Sequence, residues 1–65
     1  MTYYLPTAEE VKQIRLDNKL TMAQISDLVL TGTKTWQQWE YNKRQMPAAI
    51  WHLLQIKLAG LDKLI

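Results

Sequence analysis

Two blocks of four residues decide where this chain must turn helical: Thr7-Ala8-Glu9-Glu10 and Thr21-Met22-Ala23-Gln24. Each is a capping box, in which the threonine hydroxyl can accept from the amide three residues on while the Glu10 or Gln24 side chain reaches back to the threonine amide. Pro6 stops any helix from extending upstream of the first box. Between the two starts there is room for one short helix and a tight connection. The first helix is expected from about Ala8 to Asn18, with Ala8, Val11, Ile14 and Arg15 on an inward stripe. Asp17-Asn18-Lys19 ends it, with Asn18 as the left-handed cap, and Leu20 then enters the core.

The second helix, about 22–30, turns Ile25 and Leu28 or Val29 inward, and the small Ser26 permits a close crossing by the next helix. Leu30-Thr31-Gly32 is the connecting turn, with Gly32 as the residue suited to a positive φ. A third helix, about 33–41, carries Thr33, Lys34, Thr35, Gln37 and Gln38 on one side and Trp36 and Trp39 on the other. That is an anchored helix with a polar outer face. Asn42 is a left-handed candidate in the loop that follows, and Pro47 suits the first turn of a fourth helix, about 47–59, which Gly60 ends before a possible turn at 61–65. Helix 4 has two apolar stripes: Ile50, Leu53 and Lys57 form one, and Trp51, Leu54 and Leu58 the other. One small core cannot use both. The expected fold is all-α, a single domain over residues 1–65 with four to five short helices.

A chain of 65 residues has a core worth only a few kcal/mol of net stability, about 3–5, and oligomerisation would help it. There is no Cys to make a disulfide or a thiolate zinc site, and His52 has no Asp, Glu or Cys at ligand spacing, so no metal is expected. No Gly-rich phosphate loop, no nucleophile flanked by a base and no paired carboxylates are visible, so neither an enzyme nor a cofactor nor a small-molecule ligand is expected. Met1-Thr2-Tyr3-Tyr4 lacks the basic start of a signal peptide, and the apolar run from Ala48 to Ile56 is broken by His52 and Gln55 and is too short for a bilayer. The expectation is a cytoplasmic protein with no membrane partner. Net charge is only +2, but it is unevenly placed: residues 1–30 hold three basic against four acidic side chains, and residues 31–65 hold five against two. The basic half contains the third helix.

Leu20-Thr21 followed by Ile25, Ser26, Val29, Trp36 and the pair Trp39-Glu40 resembles the helix-turn-helix of the Xre family, the Cro and repressor type of regulator, over roughly residues 9–57. The resemblance implies a lambda-repressor-like DNA-binding domain. It places Thr33, Lys34 and Gln38 at base-contacting positions with Gln37 near the groove, where amide side chains can bond adenine bidentately and lysine can reach guanine acceptors. Phosphate anchoring would fall to Thr21 at the start of helix 2 and to Tyr41, Lys43 and Arg44 after helix 3. Arg15 and Glu40 would form a structural ion pair tying helix 1 to the end of helix 3. The chain departs from the family in carrying Leu30 where relatives carry Gly, Gly32 where they carry a polar residue, and Met22 where they carry a Gln. Trp-Gln-Gln-Trp-Glu with Met46-Pro47 and Trp51 further resembles small regulators of phages and mobile elements, some of them autorepressors of anti-CRISPR operons.

One such domain covers little DNA, so a homodimer on a pseudo-palindromic double-stranded operator is expected, with half-sites roughly 34 Å apart. Trp51, Leu54, Leu58, Leu61, Leu64 and Ile65 are the expected dimer interface. The function implied is repression, first of the chain's own operon. The competing expectation is a protein-binding module or antitoxin that uses the apolar stripe of helix 4.

Overall fold

Both capping boxes form. Thr7 Oγ1 accepts from the Glu10 amide at 3.1 Å and the Thr7 amide donates to Glu10 Oε1 at 2.9 Å, and Thr21 with Gln24 repeats these bonds at 3.1 and 2.9 Å. The computed structural model describes residues 4–63, with side chains to residue 60. Its elements are α1 (Ala8–Asp17), α2 (Met22–Leu28), α3 (Thr33–Glu40) and α4 (Ala48–Lys63). The described chain is all-α. No helix in it is long and apolar enough to cross a membrane.

α1, α2 and α3 end in the same way. The amide two residues past each cap bonds the carbonyl three residues inside it: Leu20 to Arg15 (3.2 Å), Thr31 to Ser26 (3.0 Å) and Lys43 to Gln38 (2.8 Å). The intervening residue bonds the next carbonyl, as in Lys19 to Leu16, Leu30 to Asp27 and Asn42 to Trp39. This double bond requires a left-handed residue just past the cap. Those residues are Lys19 (φ 55°), Leu30 (φ 56°) and Asn42 (φ 59°).

Only Asn42 matches the sequence expectation. Asn18 is instead the cap itself at φ −96°, and the left-handed residue is Lys19. Gly32 is the N-cap of α3 at φ −80°, and Leu30 takes the positive φ. The hydrogen-bonded ending fixes which position is left-handed, whatever side chain stands there. A branched or long side chain in that conformation costs about 1 kcal/mol or more.

α4 runs through Gly60 to Lys63, so Gly60 does not end it. Glycine inside a helix costs only about 1 kcal/mol relative to alanine. No residue that cannot continue a helix follows Gly60. Pro47 lies just outside α4, its carbonyl accepting from the Ile50 and Trp51 amides at 3.1 Å.

The core gathers Val11 of α1, Ile25 and Val29 from α2 and its cap, Trp36 and Trp39 of α3, Met46 of the loop, and Leu54 and Leu58 of α4. Ser26 is buried where α2 crosses α3, its hydroxyl donating to the Ala23 carbonyl at 3.0 Å. Pro6 is also buried, and Gln45 Nε2 donates to its carbonyl at 2.8 Å, tying the segment before α1 to the loop before α4.

The assignment of Leu54 and Leu58 to a dimer interface is corrected by this packing. Both lie in the chain's own core, Leu54 with no exposed surface at all. Of the two stripes on α4, the one through Leu54 and Leu58 turns inward. Trp51 is half-buried on the same side and meets the Tyr4 ring at 6.4 Å. The side chains of Leu61, Leu64 and Ile65, also assigned to the interface, lie outside the described residues.

Candidate functional site

α3 is fixed from within. Its two indoles meet edge to face, with ring centroids 5.8 Å apart and planes at 72°, a favoured aromatic geometry. Trp36 Nε1 donates to Glu40 Oε2 one turn later. Arg15 of α1 closes on the same carboxylate, Nε to Oε2 at 2.6 Å and Nη2 to Oε1 at 3.1 Å, and its Nη1 donates to the Leu20 carbonyl at 3.2 Å. The Glu40 side chain is 1% exposed and that of Arg15 15%. The hydrogen bonds to Glu40 raise the guanidinium pKa further above its ordinary value, the carboxylate's charge adding to them and desolvation partly opposing both. Arg15 and Glu40 are therefore committed to holding α1 against the end of α3.

With Trp36 and Trp39 inward, the other side of α3 is presented outward. Thr33 and Lys34 are exposed; Thr35, Gln37 and Gln38 are half-buried. Among the described residues, Thr33 is the one member of this set whose side chain holds an intramolecular hydrogen bond, 3.5 Å between its hydroxyl and that of Ser26. The amides of Gln37 and Gln38 and the ammonium of Lys34 are thus available to an external partner. The N-terminus of α3 also lacks a side-chain cap, because Gly32 occupies the capping position, in contrast to the threonine caps of α1 and α2.

The residues named for phosphate contact divide between two places. Tyr41, Lys43 and Arg44 are exposed just past α3, and the Lys43 and Arg44 amides are both held by the Gln38 carbonyl, at 2.8 and 3.2 Å. Thr21 is exposed at the start of α2, with its hydroxyl already accepting from Gln24. Met22 packs against the core instead of bracing α3 with a polar group.

Sequence reasoning missed two features here. One is the Gln45 clamp on Pro6, a bond across 39 residues with no local signal. The other is a cleft of about 440 Å3 between the start of α1 and the loop after α3, lined by Thr7, Val11, Trp39, Arg44 and Met46 among others. It includes none of Thr33, Lys34, Gln37 or Gln38. Among the described residues no group of three or more His, Cys, Asp or Glu side chains is placed to hold a metal.

The chain is similar to part of a methyltransferase. Over 50 residues, 77% of its length, it is 44% identical to the Type II methyltransferase M.MspI of Moraxella sp. It spans only 12% of that curated relative. The chain matches no family model.

Proposed function

We propose that this chain is a sequence-reading module for double-stranded DNA, of the Xre helix-turn-helix kind, and that α3 is its reading helix. One observation carries the reading: an inward anchor of Trp36, Trp39 and the Arg15–Glu40 pair leaves Thr33, Lys34, Gln37 and Gln38 outward on a helix whose N-terminus is open. A helix with its side chains is roughly 10–12 Å across, which fits the width of the major groove. In this reading Gln37 and Gln38 bond adenine edges and Lys34 reaches guanine. Tyr41, Lys43 and Arg44 at one end and Thr21 at the other hold phosphates and set the register.

The module acts as a homodimeric repressor of a phage or mobile-element operon, occupying a pseudo-palindromic operator. Since Leu54 and Leu58 belong to the core and Trp51 packs against it, the face left for a second copy is the opposite side of α4, at the exposed Ile56. The test is binding of random-sequence and selected duplexes across a salt series. The reading requires a steep loss of affinity with salt on both, and tighter binding to the selected sequence. Absence of binding to any duplex at low salt would overturn it.

A second reading, for which the exposed Ile56 on the outer face of α4 speaks, is that the chain docks a partner protein through that face rather than reading DNA. Binding to duplex DNA that survives substitution of Ile56 but not of Gln38 separates the two.

A further inference from the structure

We propose that Gln45 is a positioning residue for phosphate contact: by clamping the loop after α3 to the segment before α1, it sets where Lys43 and Arg44 meet the DNA backbone. The inference rests on the DNA-reading proposal. Lys43 and Arg44 have exposed side chains, and among the described residues neither side chain forms an ion pair within the chain. Their backbone, by contrast, is held on both sides. Toward α3, the Lys43 and Arg44 amides share the carbonyl of Gln38, one of the proposed reading residues, at 2.8 and 3.2 Å. Toward α4, Gln45 Nε2 donates to the Pro6 carbonyl at 2.8 Å and to the Met46 carbonyl at 3.2 Å, and Met46 is itself in the core.

The bond to Pro6 matters because packing does not brace the loop at this point. The cleft of about 440 Å3 lies between the loop and the start of α1, lined by Thr7, Ala8 and Glu9 as well as by Asn42, Arg44 and Gln45. Among the described residues, the Gln45 amide makes the one side-chain hydrogen bond that leaves residues 42–46 for another part of the chain. Its far end is firm. Pro6 is buried, and the segment is pinned again at Tyr4, whose hydroxyl donates to the Glu10 carboxylate and whose ring lies 6.4 Å from that of Trp51. A long basic side chain on a loose loop loses the freedom of its backbone as well as its own on meeting a phosphate, and a clamped loop avoids the first loss. The clamp also holds Lys43 and Arg44 in place relative to Gln38, so reading and anchoring share one register.

The experiment compares the full chain with Gln45→Met, which keeps length and volume but has no donor, in the parent and in a Lys43→Ala, Arg44→Ala background. Binding to a random-sequence duplex and to a selected duplex is measured at low salt, at a temperature where circular dichroism shows every variant helical. Loss of this one ordering hydrogen bond should weaken the parent about threefold to tenfold, on both duplexes alike. In the background lacking both basic side chains, the same substitution should change affinity by less than about twofold, because Gln45 acts through them. A role in folding alone would lower the unfolding midpoint and leave the affinity of the folded chain as it was. Unchanged affinity for Gln45→Met, an equal loss in both backgrounds, a loss confined to the selected duplex, or a Gln45→Met chain helical at no temperature would each overturn this inference and leave the DNA-reading proposal standing. A parent that binds no duplex at low salt would overturn both.

Discussion

Replacing Arg15 by alanine should destabilise the chain by about 3 kcal/mol, far more than a surface ion pair contributes. The magnitude follows from what remains. The Glu40 carboxylate, 1% exposed, would lose two of its three donors and its cation, and keep only Trp36 Nε1. Removal of one partner from a buried pair costs about 3–5 kcal/mol, and the partial exposure of Arg15 argues for the lower end. Cores of this size supply about 3–5 kcal/mol in all, so Arg15→Ala should leave a marginal fold. In thermal unfolding followed by circular dichroism, the midpoint should drop by about 12–24 °C. The double variant Arg15→Met with Glu40→Gln removes both charges and keeps an acceptor for the Trp36 indole. It should recover a large part of the loss. A drop below about 1 kcal/mol for Arg15→Ala, or a double variant less stable than Arg15→Ala, would refute the claim that this pair is a buried structural tie.

Three further outcomes follow from the same packing. Leu54→Ala should cost about 2–5 kcal/mol and reduce the unfolding midpoint equally at low and high protein concentration, because Leu54 is inside one copy; a loss that shrinks at high concentration would return it to an interface. On DNA, Lys43→Ala should weaken selected and random duplexes alike and lower the salt slope by about one, while Gln38→Ala should lose the selected duplex preferentially; equal losses for Gln38→Ala would show that the reading residues are misassigned. The Tyr4 hydroxyl bond, then the Thr7 amide bond, hold the Glu10 carboxyl below its ordinary pKa. A depressed carboxyl stabilises the fold above its unfolded value and loses that contribution as pH falls through the folded one. Stability curves of the parent and Glu10→Gln should therefore separate at neutral pH and converge in acid, and parallel curves would contradict this.

What could be read in advance was what depends on neighbours in sequence. The boxes at Thr7 and Thr21 need only a hydroxyl, an amide three residues on and a returning side chain, so the starts of α1 and α2 were legible. The spacing of Trp36 and Trp39 likewise fixes one face of α3. Helix ends were harder, because the bonds that close them impose a left-handed residue at a set position and override side-chain preference at Lys19 and Leu30. The two stripes of α4 are similarly apolar. Which one faces inward depends on Trp36, Trp39, Met46 and Tyr4, which are distant in sequence. Gln45 on Pro6 is hidden for the same reason.

The central claim, that the outward side of α3 is the surface that meets DNA, is tested most directly by nuclear magnetic resonance of the labelled chain titrated with its selected duplex. The side-chain amides of Gln37 and Gln38 and the backbone amides from Gly32 to Thr35 should shift most, with smaller changes at Lys43 and Arg44. Shifts confined to α4 around His52 and Ile56, with α3 unmoved, would contradict the account.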